Sequence, residues 1–322
     1  MQDLHGRNIN YLRLSITDRC NLRCRYCMPA DGVPQTDCDG ILRFEDFLQI
    51  VRAATHLGIR KVRITGGEPL VRKGVIDFLG KLSSIPGIEE VALTTNGILL
   101  ADNANALKDA GIKRLNISLD SLNPKTFTEI TRGGSLEAVL KGIAAAEKAG
   151  LKIKLNMVVM RGVNDHEVLS FAAMSINNPW SVRYIEYMPT IQESDWRSRI
   201  VSGAEILTQL QEKHTLEPLG HSRYCGPAKP YRIAGAKGSI GIITPMSSHF
   251  CSSCNRIRVD SMGWAKSCLL SDDRLDLKPY LELPQPHLIG ALQQVIENKQ
   301  LEHHLGCEQD VMTPFSMSSI GG

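Results

Sequence analysis

Apolar and polar residues alternate strictly in four short runs: Leu12-Arg13-Leu14-Ser15-Ile16-Thr17, Val62-Arg63-Ile64-Thr65, Leu115-Asn116-Ile117-Ser118-Leu119-Asp120 and Ile153-Lys154-Leu155-Asn156. Successive side chains of a strand point to opposite faces, so each run carries one apolar and one polar face. Together with β-rich neighbours they predict strands over Tyr11–Thr17, Lys61–Thr65, Glu90–Thr95, Arg114–Asp120, Lys152–Met160 and Val182–Met188. Between them, apolar positions at helical spacing predict helices over Phe44–Leu57, Val75–Ile85, Asp102–Ala110, Leu136–Ala149, His166–Ser175 and Ala204–Lys213. Gly58, Gly111 and Gly150 follow three of these, where a helix end favours a residue at positive φ. Strand and helix in alternation, with crossovers of this length, predict a parallel α/β sheet.

A parallel strand covered on both faces is apolar nearly throughout. Here one face stays polar, which points to a barrel or open half-barrel. The apolar face packs on the helices, and the polar face lines a wet lumen that can take a ligand. An amphipathic sheet with one solvated face is the competing reading. After Lys213 the repeat stops: Pro218, Gly220, Gly226, Pro227, Pro230, Gly235, Gly238 and Gly241 crowd together, and residues 216–260 predict irregular short strands with turns. A domain boundary is expected there, dividing 1–215 from 216–322.

The chain has 322 residues, 37 Lys+Arg against 34 Asp+Glu, and a net charge of +3. That balance argues against a disordered tail or a general nucleic-acid coating protein. No apolar run approaches the roughly 20 residues of a membrane span, and the first 20 residues lack a secretory pattern. A cytoplasmic protein that binds neither membrane nor nucleic acid is expected.

Cysteine changes the picture. There are nine, and in a reducing compartment clustered thiols are metal ligands or redox groups rather than staples. Cys20, Cys24 and Cys27 form a C-x3-C-x2-C group just after the first predicted strand, with Arg19, Arg23 and Arg25 beside them, where they would lower the thiol pKa. Cys251, Cys254 and Cys268 form a C-x2-C-x13-C group. Cys38, Cys225 and Cys307 stand apart as incidental thiols. Structural zinc closes four ligands and an ordinary cubane takes four cysteines, so a trio leaves one position open. A three-cysteine zinc site with a distant His, or a zinc ribbon completed by His249, stays open as the alternative. Gly66-Gly67-Glu68-Pro69 follows the second strand; two glycines permit close backbone approach, and the carboxylate can accept from an ammonium group. Arg256 and Arg258 point to one face of an extended segment, and Arg13, Arg63, Lys154 and Arg183 lie on polar strand faces. Cations buried in a lumen need an anion of several charges.

The C-x3-C-x-aromatic-C spacing, with Tyr26 in the aromatic place, resembles the radical S-adenosylmethionine (SAM) superfamily. The segments Tyr11–Cys20, Arg63–Leu70, Leu93–Gly97, Asn116–Asp120, Phe250–Arg258 and the terminal Gly321-Gly322 further resemble its GTP 3′,8-cyclase family, across essentially the whole chain. That resemblance implies an incomplete (β/α)6 TIM-like barrel whose C-terminal extension carries a second iron–sulfur cluster. It implies conversion of GTP to a 3′,8-cyclised dihydro-GTP, the first step of molybdenum cofactor biosynthesis. Two [4Fe–4S] clusters and SAM are the cofactors it implies. Cys20, Cys24 and Cys27 would bind the first cluster, and Cys251, Cys254 and Cys268 the second. Tyr26, Gly66, Gly67, Glu68, Ser118 and Met188 would bind SAM. Arg13, Arg63, Thr94, Lys154, Arg256 and Arg258 would hold GTP, with Arg13, Arg256 and Arg258 acting in catalysis. The implied partners are an external electron donor and a downstream cyclic pyranopterin monophosphate synthase; a homodimer is compatible. The glycine tail would enter the active-site pocket. The competing enzyme is another two-cluster radical SAM protein such as a peptide-modifying maturase.

Overall fold

A computed structural model of the chain describes residues 1–32, 40–189, 195–220, 226–302 and 317. Cys38, Cys225, Cys307 and the Gly321-Gly322 tail lie outside the described residues. In the first part of the chain, strands and helices alternate as β1 (Tyr11–Ser15), α1 (Phe44–His56), β2 (Lys61–Thr65), α2 (Val75–Ser83), β3 (Glu90–Thr95), α3 (Leu100–Asp109), β4 (Arg114–Ser118), α4 (Pro124–Thr131), α5 (Leu136–Lys148), β5 (Lys152–Val159), α6 (Val168–Asn177), β6 (Ser181–Glu186) and α7 (Gly203–Gln211). Shorter elements follow: β7 (Leu216–Pro218), β8 (Lys229–Ile233), β9 (Ser239–Ile243), β10 (Arg256–Val259), β11 (Trp264–Lys266), β12 (Leu275–Asp276), α8 (Lys278–Leu281) and α9 (Gln285–Glu297).

The strands form one twelve-stranded sheet in the order β12-β11-β10-β1-β2-β3-β4-β5-β6-β9-β8-β7. Strands β1 to β6 are parallel and in sequence, which is the incomplete (β/α)6 barrel. Its two edges are extended by the later strands: β10 runs parallel beside β1, and β9 runs parallel beside β6. The lumen face therefore continues from β10 through β1 to β9. The open edge strands that a half-barrel would expose are paired instead.

The apolar faces pack outward on the helices. Leu12, Leu14, Val62, Ile64, Leu93, Leu115, Ile117, Ile153, Leu155 and Val182 join Phe47, Val51, Phe78, Leu79, Leu107, Val139 and Phe171 in one buried cluster. The same cluster takes in Ile240 and Ile242 of β9, Ile257 and Val259 of β10, and Leu288 and Leu292 of α9. The polar faces are also buried, Arg13 and Arg63 at 9% exposure and Ser15 at 0%. A solvated sheet face is thus excluded, and the lumen reading holds.

Helix ends follow their local chemistry. Gly58, Gly111 and Gly150 lie at φ of 88°, 85° and 74°. Ser202 and Glu205 form a reciprocal capping box at the start of α7. Helix α4, eight residues long, is not among the predicted helices; Asn123, which accepts from the Lys125 and Thr126 amides, and Pro124 start it. Four strands end earlier than predicted: β1 at Ser15 rather than Thr17, β4 at Ser118 rather than Asp120, β5 at Val159 rather than Met160, and β6 at Glu186 rather than Met188. Past the ends of β1 and β4 the alternation runs on, but Thr17 and Asp120 bond away from the regular ladder, to the turn after β2 and to a β5 amide. Thr17 O accepts from Gly67 N at 2.8 Å, and Asp120 Oδ1 accepts from Val158 N at 2.9 Å.

Gly238 shows how tightly β9 joins the barrel: a Cβ there would lie 2.1 Å from Trp180 O and 2.7 Å from Asn178 O. Gly238→Ala is expected to push β9 away from β6 and to cost about 1–3 kcal/mol, as overpacking does. A urea midpoint equal to that of the unaltered chain would show that the edge yields freely.

Candidate active site

One cavity of about 270 Å³ opens at the C-terminal ends of the strands and runs down the lumen. Both cysteine trios line it: Cys20, Cys24 and Cys27 from the loop after β1, and Cys251, Cys254 and Cys268 from the segment around β10 and β11. So do Arg13, Tyr26, Arg63, Gly66, Gly67, Thr94, Ser118, Met188, Arg256 and Arg258.

The loop carrying the first trio is held by its neighbours. Gly67 N donates to Thr17 O and Glu68 N to Arg19 O at 2.9 Å. A Cβ on Gly66 would lie 2.6 Å from Thr17 O, and on Gly67 2.3 Å from Arg19 O. The two glycines thus let the Gly-Gly-Glu turn lie flat against the backbone of the cysteine loop. Glu68 is fully buried and is not part of the cavity wall. Its carboxylate accepts from Leu70 N at 3.0 Å, Thr95 Oγ1 at 2.9 Å and Asn96 N at 2.7 Å. Burial pushes it up to about 7 against those hydrogen bonds. On the other side, Tyr26 donates its hydroxyl to Asp120 Oδ2 at 2.8 Å. Burial first, and the Asp120 charge next, hold that phenol protonated. Arg25 N and Arg23 N donate to Ile130 O and Thr131 O at the end of α4.

Arginines beside Cys20, Cys24 and Cys27 were expected to lower the thiol pKa, and that is corrected. Burial raises Cys20, and burial followed by the Asp120 charge raises Cys24 well above the ordinary thiol value. Arg19 and Arg25 are exposed, and Arg23 donates to Cys20 O and Leu22 O. In the second trio the balance reverses. Burial raises the Cys254 thiol, but Arg256 and Lys299 outweigh it and bring it down to about 7.

The donor chemistry fits iron–sulfur clusters. The six cysteines are not joined in disulfides, and all of them line one cavity. Among the described residues, no three His, Cys, Asp or Glu side chains converge closely enough for a single metal ion. A cubane takes thiolates spread around a body larger than a single ion.

Below the first trio the wall is cationic. Register places Arg256 beside Tyr11 and Arg258 beside Arg13, with Lys61 and Arg63 across from the same two residues of β1. Arg183 on β6 is 7% exposed, Arg258 4% and Lys61 1%. Burial and mutual repulsion lower these groups: burial, then Arg63, brings Arg183 to about 9, and burial, then Arg256, brings Arg258 to about 10. Lys61 pairs with Glu90 at 3.3 Å, and Arg114 shares the same carboxylate. Lys154 is half-buried on β5 and does not line the cavity; burial first, then Arg183 and Arg114, brings it to about 6. The Tyr11 hydroxyl, Arg63 Nε, Thr94 Oγ1 and Asn156 Oδ1 line this region buried and without a hydrogen-bond partner. Orphaned donors and acceptors beside crowded buried cations are costly unless a ligand joins them. The wall suits a polyanion with polar ring edges.

Sequence reasoning singled out Arg183 as a polar-face cation but not as a site residue, and it missed Tyr11, Asn96, Asn156 and Asp120. Tyr11 and Asn156 were available from period two, because each sits two positions from a named cation on the same face. Asp120 and Asn96 reach the site through contacts with Tyr26 and Asn21, which no local pattern announces.

Comparison with known proteins bears on both halves of this site. A family model described as the radical SAM superfamily matches residues 14–174, and one described as Molybdenum Cofactor Synthesis C matches residues 180–305. The chain is 52% identical over 322 residues to a GTP 3′,8-cyclase from Geobacter sulfurreducens, covering 99% of each chain. It is 48% identical over 325 residues to a GTP 3′,8-cyclase from Alkaliphilus metalliredigens, covering 100% of each. Among solved structures, Streptococcus suis SuiB bound to S-adenosylmethionine superposes at a TM-score of 0.59 with 15% identity, over 87% of this chain and 63% of that one. The native anSMEcpe structure with bound AdoMet gives 0.58 with 16% identity, over 96% and 88%. At such identities these two likenesses speak to the fold alone.

The tight seat of the cysteine loop gives a direct test. Gly67→Ala is expected to displace that loop, because its Cβ meets backbone rather than a movable side chain. Iron bound by the first trio should fall by more than half after anaerobic loading, while Gly220→Ala, in open space, should load normally. Equal iron in both would refute the packing role of Gly67.

Proposed function

Because the chain belongs to the GTP 3′,8-cyclase family of the radical SAM superfamily, we propose that its cavity holds SAM at the upper trio and GTP between the cationic wall and the lower trio. The chain is a GTP 3′,8-cyclase, converting GTP to (8S)-3′,8-cyclo-7,8-dihydroguanosine 5′-triphosphate in the first step of molybdenum cofactor biosynthesis. Its cofactors are two [4Fe–4S] clusters and SAM. When bound, they would supply a 5′-deoxyadenosyl radical for hydrogen abstraction at the ribose C3′, and C3′–C8 bond formation would then need one electron and one proton to reach the dihydro product.

The observation that carries the residue assignment is that both trios and the cations line one cavity. In this reading Cys20, Cys24 and Cys27 hold the first cluster, and Cys251, Cys254 and Cys268 the second. Tyr26, Gly66, Gly67, Ser118 and Met188 line the SAM end. Glu68 serves it indirectly, bracing the turn against Thr95 and Asn96. Arg13, Arg63, Arg256 and Arg258 neutralise the triphosphate, and Thr94 offers its unpartnered hydroxyl. Lys154 adds positive potential from behind Arg183. Arg13, Arg256 and Arg258 act in catalysis by fixing the ribose between the two clusters, since a reacting carbon must sit in line with the radical source. Residues 1–215 carry the SAM end and residues 216–322 the second trio.

No helix among the described residues is long and apolar enough to cross a membrane. A cytoplasmic setting keeps the six thiols reduced. The reaction needs an external electron donor and delivers its product to a cyclic pyranopterin monophosphate synthase. A homodimer is compatible with this reading.

Anaerobic incubation with SAM, dithionite and GTP deuterated at C3′ tests the proposal. Mass spectrometry should find deuterium in 5′-deoxyadenosine and a cyclised nucleotide. Intact clusters with SAM cleavage but no GTP affinity would overturn it. Arg258→Ala should weaken GTP binding by about 1.5–3 kcal/mol, the loss of a charge-assisted hydrogen bond, while SAM-dependent cleavage persists. Unaltered GTP affinity in that variant would remove Arg258 from the site.

Proton linkage provides another check. Without an anion, Lys154 titrates at about 6 and Lys61 at about 8. A bound triphosphate favours their charged forms and raises both values. GTP binding at pH 7 should therefore take up protons, and affinity should fall as pH rises from 6 to 8. Calorimetry in buffers of different ionisation enthalpy reads the uptake; none, or net release, would contradict the assignment.

A further inference from the structure

Outside the cavity, three buried groups from the two ends of the described chain converge on the second trio. Asp3 and Arg7 form one unit: Arg7 Nε donates to Asp3 Oδ2 at 2.5 Å, and Arg7 N donates to Asp3 Oδ1 at 2.9 Å. The Arg7 guanidinium is buried at 6% exposure and spends its other donors on four carbonyls. These are Cys251 O at 3.0 Å, Lys299 O at 3.0 Å, Gln300 O at 2.7 Å and Leu301 O at 3.0 Å. Lys299 follows α9 and is 3% exposed. Its ammonium donates to Ser267 O, next to Cys268, at 2.5 Å, and also hydrogen-bonds toward the Cys254 sulfur. Between them, Arg7 and Lys299 thus touch the chain at or beside each member of the trio.

We propose that Arg7 and Lys299 are positioning residues of the second cluster, Arg7 clamping the Cys251 loop to the end of α9 and Lys299 donating to the Cys254 sulfur. This rests on the two-cluster reading above and adds two residues that touch neither SAM nor GTP. Arg7 fixes where Cys251 lies by tying its carbonyl to 299–301, so the trio is assembled from both ends of the chain. Lys299 places a fixed positive charge against one ligand. Reduction adds negative charge to a cluster, so a nearby cation and a hydrogen bond to sulfur stabilise the reduced form.

The test uses the full chain with both clusters loaded. Electron paramagnetic resonance of the reduced enzyme gives a SAM-sensitive signal for the first cluster and a GTP-sensitive signal for the second. In Lys299→Met, the GTP-sensitive signal should become about tenfold harder to reduce, a shift of about 59 mV to lower potential. The SAM-sensitive signal should stay in place, and Lys299→Arg should restore most of the shift. In Arg7→Gln, iron should fall from roughly eight toward roughly four per chain, with the SAM-sensitive signal retained. Unmoved potential in Lys299→Met together with full iron in Arg7→Gln would overturn the inference, as would equal shifts of both signals. An unaltered chain that loads only about four irons overturns the two-cluster reading and this inference with it. A normally loaded unaltered chain with unresponsive variants overturns this inference alone.

Discussion

Buried positive charge is the constraint around which this molecule is arranged. Arg13, Arg63, Arg183, Arg258 and Lys61 are all under 10% exposed on one lumen face, and Lys61 and Arg114 share the Glu90 carboxylate. A packed barrel core would fill the lumen with branched apolar side chains. This one lines it with cations and with hydroxyl and amide groups that lack a hydrogen-bond partner, an arrangement that suits a polyanion. The apolar cluster on the outer faces of the strands supplies the stability that makes such a lumen tolerable.

The open barrel serves the same end. A closed eight-stranded barrel leaves no room for a nucleotide and two clusters. Six parallel strands leave a gap, and β9 and β10 extend both edges without closing it. The strand that extends the β1 edge also brings the second trio, because Cys254 lies two residues before β10. Arg256 and Arg258 therefore gain their positions beside Tyr11 and Arg13 from the same pairing that brings the second trio to the cavity. Thiols that would ligate a cluster and side chains that would hold phosphate are thus set by one register.

The two trios sit in different electrostatic surroundings. Cys20 and Cys24 are raised by burial, with Glu68 and Asp120 nearby. Cys254 is lowered by Arg256 and Lys299 against its burial. The upper loop is fixed by backbone packing on Gly66 and Gly67, and the lower one by charged side chains reaching in from both ends of the chain. One end is rigid through close contact, the other through hydrogen bonds to carbonyls.

The sequence by itself determined the six βα units, the polar lumen face and the two cysteine trios, because each is a local period or spacing that survives any packing. The three glycine helix ends were legible for the same reason, whereas α4 and the starts of α3, α6 and α7 were not. The tertiary structure decided the rest. It docked β10 against β1 across more than 240 residues of chain, a pairing that no local pattern encodes. It spent the Glu68 carboxylate on Leu70, Thr95 and Asn96 rather than on the cavity wall. It let burial outweigh the arginines around Cys20 and Cys24, since thiol ionisation depends on depth and on distant carboxylates, not on neighbours in sequence. And it brought Arg7 to the carbonyl of Cys251, because a buried guanidinium takes its partners from whatever backbone the fold places around it.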